Sequence, residues 1–166
     1  MRRSAKVKKM QPWPWFVTVV AIALGCFDLL RGVVHTMLAG SVGIPKSGVD
    51  VSGPTGRDQL MFMVAFGYSN LLTGAALIYL GLRDRFGALL FIGMIPITLM
   101  IAGIGLRIWG ANLEGVGVFP GQQNMAVYAA ICILTVIAAL IGRWRTHRNN
   151  PFSQQQRHLH SVDHAQ

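Results

Sequence analysis

Residues 15–39 read WFVTVVAIALGCFDLLRGVVHTMLA, an apolar run interrupted by Asp28, Arg31 and His35. About 20 such residues suffice to cross the hydrocarbon core of a bilayer. Wound as a helix, the run places Ala21, Gly25, Asp28, Gly32, His35 and Ala39 on one face, with Arg31 at its edge. Val19, Ala23, Cys26, Leu30, Val33 and Met37 fall on the opposite, lipid-compatible face. An ionisable group at mid-membrane costs about 3 kcal/mol and persists only where it is paired or faces a protein-lined or watery interior. The run therefore predicts a membrane helix with a polar inner face.

Three further apolar stretches of spanning length follow, at 59–82, 86–109 and 122–142. Of the 166 residues, 52% are hydrophobic and 13% charged, too few charges to cover a soluble domain. The expected fold is an all-α membrane protein, a four-transmembrane-helix antiparallel bundle. Residues 1–12 form a basic tail, 13–142 the membrane domain, and 143–166 a polar, largely disordered tail. The loop 40–58, rich in Gly, Ser, Val and Pro, is open between an irregular segment and a turn folded over the bundle.

The net charge of +9 is segregated. Arg2, Arg3, Lys6, Lys8 and Lys9 precede the first span. Arg83 and Arg85 lie between the second and third, and Arg143, Arg145 and Arg148 follow the fourth. The other two loops hold only Lys46 and Arg57, against Asp50, Asp58 and Glu114. This positive-inside pattern puts both termini in the cytoplasm of a multi-pass cell-membrane protein. It assigns the basic segments to anionic lipids at the cytoplasmic face rather than to nucleic acid. Trp13, Trp15, Trp109 and Trp144 all fall at expected membrane interfaces. The first span is too long for the apolar part of a signal peptide and carries charges, so it is read as a retained helix.

The other spans carry stripes of small or polar residues: Gly67, Asn70, Gly74 and Gly81 in the second, and Gly93, Pro96, Met100, Gly103 and Arg107 in the third. In the fourth the stripe is Asn124, Tyr128, Cys132, Thr135, Ala139 and Gly142. Small residues at this spacing let membrane helices approach closely. Pro96 is a candidate kink. With the first helix running outward, Arg31 lies about 4.5 Å beyond Asp28 and His35 about 10 Å beyond it. Asn70, Tyr128 and Arg107 fall at central or outer depth too. The ligand-pocket candidates are thus Asp28, Arg31, His35, Asn70, Arg107 and Tyr128, in a pocket open to the extracytoplasmic side.

Asp28 and Arg31, three residues apart, are expected to form an internal ion pair. His35 is the member most available to a ligand. Arg107 either snorkels to the interface or joins the pocket, where a second arginine would favour an anionic or electron-rich head group. His158, His160, Asp163 and His164 have metal-ligating side chains but sit in the tail, so no metal site is expected. Cys26 and Cys132, both at mid-membrane depth, are read as unpaired thiols. CxxC, HExxH and phosphate-cradling glycine motifs are all missing, which leans against an enzyme.

The stretch Gly67-Tyr-Ser-Asn70-Leu-Leu-Thr-Gly74, continuing through Tyr79-Leu-Gly-Leu-Arg83-Asp-Arg85-Phe-Gly-Ala-Leu-Leu, resembles the DoxX-like group of small four-helix membrane proteins. There a glycine-rich second helix ends in a short basic turn and runs into the third. Some members are associated with quinone-linked sulfur oxidation, so the resemblance implies a four-helix fold and admits a quinone as ligand. The segment Phe27-Asp28-Leu-Leu-Arg31-Gly32-Val-Val-His35-Thr36 matches no characterised catalytic motif, and no catalytic residue is carried over.

Three readings follow. The chain binds a small polar or amphiphilic molecule, or serves as an accessory subunit of a membrane partner or homo-oligomer. Alternatively it is the quinone-interacting subunit of a membrane oxidoreductase, with His35, Tyr128 and Arg31 bonding the quinone oxygens. Or it is a proton-coupled transport component, which the lack of an inverted repeat disfavours.

Overall fold

A computed structural model of the chain describes residues 13–47, 51–108 and 120–148. Residues 1–12 and 149–166, Trp109 and most of the 110–121 loop lie outside the described residues, as do His158, His160, Asp163 and His164. The described residues are helical, with no strand among them. Four helices are long and apolar enough to cross a membrane: α1 (Phe16–Thr36), α3 (Gly56–Arg83), α4 (Arg85–Ile108) and α5 (Pro120–Arg148). A four-residue helix, α2 (Ile44–Ser47), sits in the first long connection. The 21 residues of α1 span about 31 Å, the thickness of a hydrocarbon core.

The α1–α3 seam is the largest interface and is built on glycine. Gly25 lies against Gly74, Gly32 against Gly67 and Leu71, Gly67 against His35 and Thr36, and Gly81 against Ala21. The partner's number falls on α3 as the number rises on α1. At these positions a Cβ would stand 2.6–2.8 Å from the nearest atom of the other helix, and at Gly25 and Gly74 that atom is the facing backbone carbonyl oxygen, so there only glycine allows the approach. The lipid face expected for α1 is found in place: Val19, Leu30 and Met37 are exposed, and Ala21, Gly25, Asp28 and Gly32 are buried.

A common core joins Val17, Ala21 and Leu24 of α1, Leu77 of α3, Ala88, Leu89 and Ile92 of α4, and Tyr128, Cys132 and Ala139 of α5. The α5 stripe is inward except for Asn124, which is exposed. In α4 the expected stripe holds only near the start of the helix. All its buried residues precede Gly93, whereas Met100 and Arg107 are exposed and a Cβ on Gly103 would meet nothing within 4 Å. Small and apolar residues at helical spacing suit an unpacked surface as well as a packed one, and the C-terminal half of α4 is left unpacked. The helix passes through Pro96 without interruption.

Helix ends differ from expectation for local reasons. α1 stops at Thr36 because the amides of Met37 and Leu38 both donate to the Val33 carbonyl, turning the chain into a π-helical turn, Ala39–Gly43. That turn folds back over the bundle, with Gly43 against the Val34 carbonyl and Met63. α5 runs six residues past its expected end at Gly142. There Thr146 donates to the Gly142 carbonyl, and Arg148 lies over the Trp144 ring at 5.4 Å, tying successive turns together.

Candidate functional site

The polar residues of α1 meet α5 on one side and α3 on the other. The Tyr128 hydroxyl donates to Asp28 Oδ2 at 2.7 Å, a buried bond between residues 100 apart in sequence. Asp28 is 3% exposed. Phe27 tilts against the Tyr128 ring at 5.9 Å, and Cys132, one turn further along α5, is fully enclosed.

The expected Asp28–Arg31 ion pair does not form. Arg31 turns to the edge of the face, where Nη1 donates to the sulfur of Met125 at 3.3 Å. Its guanidinium carbon lies 5.1 Å from the Phe66 ring centre and 5.6 Å from that of Phe27. The physical reason is competition: Tyr128 reaches the carboxylate from a facing helix, and the aromatic faces offer the cation a quadrupole without a strained side-chain bend. Among the described residues no carboxylate makes an ion-pair contact with this part-buried guanidinium, although Asp28, one turn back on the same helix, still acts on it electrostatically. It bridges α1 to both α3 and α5, which have no packed interface of their own.

His35, one turn further along α1, uses Nδ1 against the Arg31 carbonyl at 2.7 Å. A carbonyl only accepts, so Nδ1 carries the hydrogen, and in the neutral ring Nε2 is left as an acceptor. The ring stands edge-on to Phe66 at 5.5 Å, which fixes its orientation. Asn70, buried in α3 between Gly67 and Gly74, has its Nδ2 fully enclosed with no hydrogen-bond partner. A donor so placed costs about 1–3 kcal/mol.

Of the six candidates, the structure gathers Asp28, Arg31, His35 and Tyr128 on contiguous contacts and sets Asn70 on the facing helix at the same level. Arg107 is exposed on the outer stretch of α4 and makes no described contact with the others. Three contributors escaped the sequence reading: Phe27, Phe66 and Met125. Phe27 stands four residues before Arg31, a spacing at which helical side chains meet, and that signal was available. Phe66 and Met125 carry no such local mark. No family model matches the chain, and neither a curated protein nor a solved structure matches it. Among the described residues no cluster of three or more His, Cys, Asp or Glu side chains stands ready for a metal ion.

Proposed function

We propose that the chain is an integral membrane protein, an antiparallel four-helix bundle with both termini cytoplasmic. Its outer half binds an amphiphilic molecule whose head group carries an anionic or electron-rich oxygen. The orientation rests on the cation bias of the segments before α1, between α3 and α4, and after α5. The observation that carries the binding reading is Arg31: a guanidinium in a helix of membrane-spanning length, part-buried among two aromatic rings and a thioether, whose neighbouring carboxylate Asp28 is hydrogen-bonded to Tyr128 instead of to it. Such a charge is costly in hydrocarbon, and an oxygen-bearing head group both neutralises it and uses its fork of donors. His35 Nε2 adds an acceptor one turn away, suited to a hydroxyl or a protonated acid. Asp28, held by Tyr128, is a structural member of the group.

A quinone remains the second ligand class, in narrowed form. Tyr128 has its proton committed to Asp28, and His35, with Nδ1 on the Arg31 carbonyl, has only Nε2 uncommitted. Arg31 is then the donor to an oxidised quinone oxygen, and His35 the acceptor for a quinol hydroxyl.

The test is ligand identification on gently extracted protein by solvent extraction and mass spectrometry. Wild type is expected to carry one amphiphile class enriched over bulk lipid, and Arg31→Ala to lose it by about tenfold or more, equivalent to about 1.4 kcal/mol. Thermal melting of the variant establishes that it is folded. Full retention by folded Arg31→Ala, or no enrichment in wild type, sinks the reading.

A further inference from the structure

At the end of the helices remote from Arg31, side chains of α4 and α5 converge on Trp13. Phe86, at the start of α4, stacks on the indole at 5.5 Å with 21° between planes. Arg143 of α5 lies over the indole with its guanidinium carbon 4.4 Å from the ring centre. Arg85 donates through Nη1 to the Trp13 carbonyl at 3.1 Å and through Nε to Thr18 Oγ1 at 3.2 Å. The indole nitrogen is fully enclosed, so the ring is packed into the end of the bundle.

We propose that Arg85 and Arg143, posed on Trp13, bind the phosphate of an anionic phospholipid. Two guanidinium groups from different helices are held on one residue, Arg143 over the Trp13 ring and Arg85 on its backbone carbonyl, and neither makes an ion pair among the described residues. Asp84, the nearest acid in sequence, spends Oδ1 on the Phe86 amide at 3.0 Å. Like charges gathered on one residue repel, and an anion between them would relieve that repulsion. Arg143, lying over the ring, keeps its N–H donors free of any described partner, ready for two-pronged phosphate contact. The stacking and the backbone bond fix both side chains before binding, which lowers the ordering cost.

A lipid, rather than free phosphate, is indicated by what adjoins the site. Phe86, Leu90, Met94 and Ile97 follow along one flank of α4, each at least 45% exposed, and offer an apolar track for acyl chains leading away from the arginines. A tryptophan at head-group depth fits the same placement. This site is independent of the one at Arg31.

The experiment places the full chain in nanodiscs of equal phosphatidylglycerol and phosphatidylcholine and measures the retained lipid by native mass spectrometry. Wild type is expected to retain phosphatidylglycerol over phosphatidylcholine by about tenfold. Arg85→Gln combined with Arg143→Gln is expected to bring the two to parity. Arg83→Gln combined with Arg145→Gln removes the same charge from neighbouring exposed positions and is expected to keep the preference. Parity in wild type overturns the proposal without recourse to any variant, and so does an equal loss in the second pair, which would reduce the effect to net charge. Excess inorganic phosphate is expected to leave retention unchanged; displacement by it would overturn the lipid assignment.

Discussion

Gly74→Leu is expected to leave no folded bundle. A Cβ at position 74 would stand 2.6 Å from the Gly25 carbonyl oxygen and 2.9 Å from the Leu29 amide nitrogen. Reciprocally, a Cβ at position 25 would stand 2.7 Å from the Gly74 carbonyl oxygen. These are backbone atoms, so no rotamer change relieves the contact and the two helices must part. Because α1–α3 is the largest interface, parting them also exposes Asn70 and loosens the platform that holds Arg31 and His35. Gly74→Ala alone is expected to cost about 2–3 kcal/mol, the upper range for overpacking a tight core. Gly103→Leu is the matched control: nothing lies within 4 Å of its Cβ, and it is expected to be silent. Unfolding in detergent, followed by circular dichroism or retarded migration, distinguishes the three. A stable Gly74→Leu would mean that the close seam is not how these helices pack.

Tyr128→Phe is expected to destabilise the protein by about 2 kcal/mol, because it strips Asp28 of its only described hydrogen bond at a buried position. Interhelical hydrogen bonds in membranes are modest on their own, averaging about 0.6 kcal/mol. The larger figure comes from leaving the carboxyl group without a partner. That distinction has a direct consequence for the double variant. Asp28→Leu with Tyr128→Phe replaces both partners by apolar groups and is expected to recover most of the lost stability, since removing a polar pair together can be nearly neutral. A melting series on the two single variants and the double variant measures the coupling. If the double variant is as unstable as the two single losses added together, Asp28 has a role that Tyr128 does not account for. Retention of the bound amphiphile by the double variant is the further expected result, because Asp28 serves structure and Arg31 the ligand.

The packing of α1, α3 and α5 was legible because their inward faces combine glycine with rare polar residues, a pattern that lipid-facing surfaces do not need. Gly25, Gly32, Gly67, Gly74, Tyr128, Cys132 and Thr135 were read onto the inside and are found there. The outer half of α4 was not legible, since Met100 and Gly103 satisfy a seam and a lipid surface equally. The pairing of Asp28 was misread for another reason. Spacing along one helix reveals Arg31 as a neighbour, but it is silent about a hydroxyl 100 residues away that arrives only when α5 docks. Phe66 and Met125 were missed likewise, because their relation to Arg31 exists only across helices.

The position of Arg31 between α3 and α5 bears on how affinity at its site should be expressed. On the proposed membrane placement, the flank of that site between α3 and α5 would open sideways onto acyl chains rather than onto water. A molecule arriving by that route is already dissolved in the bilayer, so occupancy depends on its mole fraction among lipids and not on its aqueous concentration. Lengthening its tail would then raise the amount delivered to the membrane without tightening the contact itself. Titrations at fixed lipid area, rather than fixed volume, are the ones that would report the contribution of the guanidinium.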